Sequence, residues 1–445
     1  MIMGALGRLQ HCCSIGKTGA LGRLGALGRQ GALVVLGLFL SVDLMGSEMD
    51  FMVMVEGDGY SDGSCSGVVI DLHSIDGLDF SVESATVSLL DEEIACQLDD
   101  LDGDGENDEL FFLSALGKDD SKTYDVVLSS ERALASYPSL VYCDLMLNDK
   151  IGNYPTITSI EAPGETNIYD DLYHHGVEFE SELTGYRIYF DHRQNIDIYG
   201  KRHKGLELSE THFYTTASQQ SSGYGNDVLW AGQSIGCGSL KLWNGKEATN
   251  WVNVLRRSQR LISCGPLRTI VEVFDLKARI DSQDAPYNVR TLYTQYGCHR
   301  DIRVDIYLDR PVKEPFLCTG VQRIGSSPEA LATNGGVKSE GYSSESGIAV
   351  SWGSDYPEMG KKDQFPPEEI GLSVHVPQEY VVESVSDSLN HLLVIGRPGQ
   401  QHLHYHLSFS ASKEDFGYHN SQDWFSRAES WHPQAISVTI VSPKN

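Results

Sequence analysis

No run of eighteen or more apolar residues occurs in this sequence, which excludes a membrane protein built from several spanning helices. Basic residues are scarce: 34 Lys and Arg stand against 62 Asp and Glu, for a net charge of −28. Such a surface repels phosphate backbones, so no nucleic-acid partner is expected. Cys-x-x-Cys pairs are missing and no Gly-rich phosphate loop is present, which argues against a zinc knuckle, a redox motif or a nucleotide fold. What is there is 445 residues, 40% hydrophobic and 22% charged, too apolar for a disordered chain and long enough for two or three domains. With 44 Gly and 21 Tyr against 8 Met, the composition leans to strands and turns.

The first 46 residues stand apart. Gly4-Ala-Leu-Gly-Arg-Leu9 recurs at Gly19–Leu24 and Gly25–Arg29, the segment is basic, and the apolar run Ala32–Val42 follows. A basic flank before about eleven apolar residues has the build of a secretory signal and is too short to span a bilayer. The alternative is a misassigned start that adds a low-complexity tail. The first reading implies a secreted or periplasmic protein with no stable membrane span in the mature chain. Of nine cysteines two fall in this leader; the remaining seven are odd in number and widely spaced, which leaves mostly buried free thiols, with room for one or two disulfides of unread pairing if the protein is exported.

Residues 47–162 read as a small β domain of short alternating runs, such as Ser84–Leu90, Leu110–Leu113 and Tyr124–Leu128. Between two of these runs lies Asp99-Asp-Leu-Asp-Gly-Asp-Gly-Glu-Asn-Asp-Glu109. Asp100, Asp102, Asp104 and Asp108 there are candidate ligands for a structural Ca²⁺, and no other cofactor is called for. The twelfth position is Phe111 rather than Glu, unlike an EF-hand, and an acidic β-turn is the competing reading. A linker near Pro155 and Pro163 leads into residues 163–445. There alternation continues through Tyr186–Phe190, Asn195–Tyr199, Arg268–Phe274, Val289–Tyr293, Asp301–Tyr307 and His402–Phe409. The expected fold is all-β: a large antiparallel, supersandwich-like β-sandwich preceded by the smaller β domain. One helix is expected within Asp415–Ser430.

The densest polar-aromatic stretch runs from Tyr173-His174-His175-Gly176 through Glu178, Glu180 and Glu182 to Tyr186-Arg187-Ile188-Tyr189, Arg193, Asp197, Tyr199 and Lys201. Imidazole, phenol, guanidinium, amine and carboxylate crowd into about thirty residues, and tyrosines suit a sugar-lining face. Tyr296-Gly-Cys-His299-Arg300-Asp301 and the alternating His402, His404 and His406 are further elements that could join this site; the triplet could supply two metal ligands. Gly223–Trp230 and Gly236–Trp243 form either a cleft wall, with Trp230 against a substrate, or an ordinary turn packed under Trp243.

These motifs, taken in order with Cys264-Gly-Pro-Leu-Arg268 and the Gln97–Gly105 loop, resemble bacterial domain of unknown function 4861 over most of residues 80–440. That resemblance implies an exported protein of polysaccharide-degrading systems for uronate-containing glycans, whose partner is an oligosaccharide or polysaccharide. β-Elimination, by a lyase or an oligosaccharide dehydratase, needs the sugar carboxylate neutralised, a proton abstracted beside it and the leaving oxygen protonated. Arg187, Arg193, Lys201 and Arg300 are candidate clamps; His174, His175 and His299 candidate bases; Tyr189 and Tyr199 candidate acids, with His175 and Tyr199 foremost. The alternatives are a glycoside hydrolase drawing on Glu178, Glu180, Glu182 and Asp197, and a non-catalytic glycan-binding protein.

Overall fold

The computed structural model describes residues 46–441 apart from 58–64, 118, 134–135, 282, 284, 326–339, 357–366 and 434. The leader expectation therefore lies outside the described residues, Gly46 excepted. The alternating segments form antiparallel strands, because a two-residue period lets a strand bury one face and leave the other wet. In Ser121–Ser129, for example, Tyr124, Val126 and Leu128 are buried while Asp125 and Val127 are exposed.

The N-terminal part pairs a five-stranded sheet, in the order Ile436–Val441, Glu48–Gly57, Ser121–Ser129, Ser84–Leu89, Glu92–Ile94, with a three-stranded sheet of Ser66–Asp71, Glu109–Ser114 and Cys96–Asp99. Val53, Val55, Ile70, Phe112 and Val126 close a core between them. The rest is built on a nine-stranded sheet that runs from Glu340–Ser343 at one edge to Ser159–Pro163 at the other. Two five-stranded sheets pack with it. One core takes Val177 and Ile188 from the first of these, Val273, Val304 and Phe409 from the large sheet, and Leu317 and Leu393 from the second. Each such fully buried side chain contributes roughly 1.5–3 kcal/mol. The architecture is all-β and sandwich-like, as expected.

Among the described residues, strand pairing crosses the expected 162/163 division at three places. Val141–Leu147 pairs with Leu172–Ser181, Ser159–Pro163 with Arg256–Cys264, and the C-terminal Ile436–Val441 with Glu48–Gly57. The Cys143–Cys264 disulfide joins two of these strands. Helix Ser421–Ser430 begins later than the Asp415 expected, at an Asn420 cap whose side chain accepts from the Asp423 N–H. It buries Trp424 and Ala428.

Candidate functional site

Strand Leu172–Ser181 lies between Val141–Leu147 and Gly185–Tyr189. From Tyr173 to Glu178 it advances five residues while its neighbour advances two, from Met146 to Asp144. The surplus forms a bulge, a device that re-aims side chains away from strict alternation. His174 and His175 both take left-handed backbone angles, φ 65° and 66°. At Gly176 a Cβ would lie 1.9 Å from the Ile188 carbonyl oxygen, so the bulge admits only glycine there. Short helix Leu208–Thr211 ends in His212 and Phe213, again left-handed at φ 47° and 66°. Non-glycine residues pay about 1–2 kcal/mol each for that conformation, and such strain persists mainly where a site requires it.

These two turns bring the His174 and His212 rings face to face, centroids 5.5 Å apart. Both point at Glu178: His174 Nε2 lies 3.8 Å and His212 Nδ1 3.9 Å from Glu178 Oε1, too far for hydrogen bonds. His174 is 2% and Glu178 0% exposed, whereas the His212 side chain is 32% exposed. Neither nitrogen of His174, neither oxygen of Glu178 and not Nδ1 of His212 has a hydrogen-bond partner among the described residues. Asp144, opposite Glu178 in the ladder, accepts from Tyr142 Oη through Oδ2 (2.7 Å) and leaves Oδ1 buried and unpartnered. Burial pushes the Glu178 carboxyl up to about 7 and the His174 imidazole down to about 2, while Glu178 draws His212 upward. Two imidazoles and a carboxylate with ligand atoms within 4.8 Å of one another are a donor set for a divalent cation.

Arg187 is the hub beside this trio. Its Nη1 donates to Tyr214 Oη (2.7 Å), and its Nη2 to Tyr189 Oη (3.0 Å), Asp197 Oδ2 (2.5 Å) and Asp227 Oδ2 (3.3 Å). The guanidinium stacks over Phe213 at 4.1 Å. Tyr189 donates to Asp197 Oδ2 at 2.6 Å. His175 lies flat on Tyr169, centroids 3.8 Å apart, with its Nδ1 on the Tyr169 carbonyl at 3.1 Å. A carbonyl only accepts, so Nδ1 carries the hydrogen and the neutral ring keeps its lone pair on Nε2. Arg193 reaches over the Tyr169 and Tyr189 rings and is held by Asp191 at 2.6 Å. Tyr154, stacked on Tyr173, and Tyr214 are each 41% exposed and mark the outer edge.

The structure thus gathers His174, His175, Arg187, Tyr189 and Arg193, and it separates the rest. The expectation that His175, Tyr199 and His299 share one hollow is corrected. Tyr199 is fully buried among Leu208 and Phe213 and donates to Glu207 Oε2 at 2.8 Å, so no substrate reaches its hydroxyl. Lys201 is no clamp: it is buried on Glu180 Oε2 (2.5 Å) and the Ser181 carbonyl. Arg300 is engaged by Glu414 (2.7 Å) and the Phe409 carbonyl. His299 lines a different cavity, of about 240 Å³, with Asp301, His406 and Trp431. His402, His404 and His406 do not converge on a metal; they bind Asp305, Tyr380 and Asp301 respectively. Trp230 is half-buried, its carbonyl accepting from Gln322, and Trp243 sits in a small core with Ile235 and Leu392, the ordinary reading of that loop. In the acidic loop Asp100, Asp102 and Asp108 converge, without Asp104, and their oxygens accept from the loop's own N–H groups, such as those of Gly103 and Leu101.

Sequence reasoning missed His212, Tyr214 and Asp144. The only local signal was the run Thr211-His-Phe-Tyr-Thr215 after a short helix, dense in imidazole and aromatic groups. What pairs it with His174 is a contact between segments some forty residues apart.

Similarity to known proteins adds the following. No curated protein matches the sequence. Among solved structures, a protein in glycosyl hydrolase family 38 from Enterococcus faecalis superposes with TM-score 0.44 at 9% identity, covering 88% of this chain and 47% of that one. An alpha-mannosidase from Enterococcus faecalis V583 gives 0.40 at 8% identity, covering 88% and 46%. The chain spans about half the length of these structures. Residues 65–436 match the family model described as "Domain of unknown function (DUF4861)", and the chain belongs to that family.

Proposed function

We propose that this protein is an enzyme that cleaves or dehydrates acidic oligosaccharides by β-elimination at the site around Arg187. The observation that carries the reading is the bond from Arg187 Nη1 to the hydroxyl of Tyr214, with His175, an imidazole with a defined lone pair, packed on the Tyr189 ring that the same guanidinium holds. Burial pushes the Tyr214 phenol up to about 12 although Arg187 Nη1 donates to its oxygen, so it stays protonated at neutral pH and has a proton to give to a leaving oxygen. His175 Nε2 takes the proton from the carbon next to the sugar carboxylate. The electrons of that C–H bond form a carbon–carbon double bond, the adjacent carbon–oxygen bond breaks, and the departing oxygen receives the Tyr214 proton. Arg193, held on Asp191 but with its side chain 23% exposed, would meet the carboxylate at the rim. The aromatic edge of Tyr154, Tyr169 and Tyr173 suits the apolar face of a sugar ring. The Cys143–Cys264 disulfide supports export to an oxidising compartment.

The test is incubation of the purified protein with a panel of uronate-containing oligosaccharides while ultraviolet absorbance is followed. Elimination produces a conjugated double bond that absorbs. New reducing ends without that absorbance would mean hydrolysis, and affinity without any product would mean a binding protein; either outcome overturns the proposal.

A further inference from the structure

We infer that His174, Glu178 and His212 form a three-ligand centre for a first-row divalent transition-metal ion, with zinc the best match to the donors. The inference rests on the site proposed above but not on its reaction. Three observations carry it.

The first is the accounting of buried polar atoms. Glu178 is wholly buried with both oxygens unpartnered, and the neighbouring Asp144, 2% exposed, has one more. Two adjacent buried carboxylates without a hydrogen-bonded cation carry a large desolvation cost. The near guanidinium, Arg187, does not relieve them, since its bonds go to Asp197 and Asp227. A dication supplies the missing charge.

The second is distance. His174 Nε2 and His212 Nδ1 stand 3.8 and 3.9 Å from the same oxygen, Glu178 Oε1. Bonds of about 2.0–2.2 Å from one ion to each donor span such gaps after a contraction of a few tenths of an ångström.

The third is ligand type and access. Imidazole nitrogens with one carboxylate select zinc and its neighbours over calcium or magnesium, which prefer all-oxygen shells. His212 is partly exposed, so the side of the ion facing Tyr214 and solvent stays open for water or a substrate oxygen, the arrangement of a catalytic rather than a structural centre. Asp144 lies outside the three donors that fall within 4.8 Å of one another, and its unpartnered Oδ1 would act on the shell from outside it.

The experiment uses the full chain, stripped with a chelator and re-equilibrated with Zn²⁺, Mn²⁺ or Co²⁺. Bound metal is measured by elemental analysis after gel filtration, and the Co²⁺ form by its visible absorption. One ion per chain is expected, with a rise in Tm. Glu178→Gln and His212→Ala should each weaken binding at least about a hundredfold, whereas Asp102→Asn in the acidic loop should leave it unchanged. Glu178→Gln removes a buried charge, so its metal-free form should melt no lower than metal-free wild type, which separates lost binding from lost folding. Failure of folded wild-type protein to hold any of the three ions overturns the inference. So does binding that survives both site variants or disappears with Asp102→Asn. Stoichiometric binding without elimination on any acidic oligosaccharide upholds the centre and overturns the reaction. Elimination by protein that holds no ion overturns the centre and leaves the reaction standing.

Discussion

Glu178 and Arg187 face each other across an antiparallel strand pair, yet the guanidinium bonds to Asp197 and Asp227 and leaves Glu178 without a hydrogen bond. A carboxylate directly opposite an arginine would ordinarily be its partner. Here the next strand over captures the cation, and the carboxylate is turned instead toward two imidazoles. This division of charge separates a hydrogen-bonded hub from a cluster of buried, unpartnered groups.

The hub itself should be costly to remove. Arg187→Met takes the paired cation away from the buried Asp197 and Asp227 and is expected to destabilise the protein by about 3–5 kcal/mol. Arg187→Lys keeps the charge but not the fork, and should recover only part of that. Denaturant unfolding measures both; a Met variant within about 1 kcal/mol of wild type would show that the hub is not structural.

Two tyrosines should behave oppositely in rate. Tyr214→Phe should lower the elimination rate about 100- to 10,000-fold and cost about 1 kcal/mol of stability, since it also deletes the bond from the buried Arg187. Tyr199→Phe should keep the rate and lose about 1 kcal/mol of stability, since it only deletes the bond to Glu207. Rate and denaturation midpoint, measured on the same samples, decide; the reverse pattern would reinstate Tyr199 as the acid.

Opening the Cys143–Cys264 disulfide should destabilise the fold by about 2–5 kcal/mol, since the two residues are 121 apart in sequence and a long loop is released. The strand that holds Asp144 is one of the two it ties together. Comparison of wild type with the Cys143→Ser/Cys264→Ser double variant by thermal unfolding checks this, and equal melting temperatures would refute it.

Lys241 predicts a pH effect. Its ammonium is buried on neutral acceptors, the Arg193 carbonyl, Asn195 Oδ1 (2.6 Å) and Asn250 Oδ1 (3.0 Å), and burial pulls its pKa from 10.5 down to about 7. Between pH 7 and 10.5 the unfolded chain therefore binds more protons at this position than the folded one. The sign makes stability rise with pH over that window, by at most about 1.4 kcal/mol per unit from this group. Wild type should gain on Lys241→Met as pH increases from 7 to 10; a flat or falling difference in unfolding free energy would contradict the argument.

Much of the fold was legible because strand patterning is local. Tyr124, Val126 and Leu128 announce a half-buried strand by their two-residue period, and pairing with any neighbour preserves that face. The same logic misled at the site. Strict alternation made Tyr199 and Lys201 look like functional groups beside Asp197, whereas helix Leu208–Thr211 and its flanks cover that end of the strand and draw both side chains into the interior. His299 and Arg300 share the chemistry of the site but belong to a turn that packs elsewhere, against Glu414 and the other cavity.

By itself, then, the amino-acid order determined an acidic, all-β chain of one family and the stretch from Tyr173 to Arg193 where imidazole, phenol and charged groups concentrate, since composition, period and motif order are properties of neighbours along the chain. Only tertiary structure decided that His174 and Glu178 meet His212 and Asp144 while Tyr199, Lys201 and His299 drop away. The reason is geometric: a bulge of extra residues and four left-handed, non-glycine residues set the direction of those side chains, and such angles hold only where packing from distant strands enforces them.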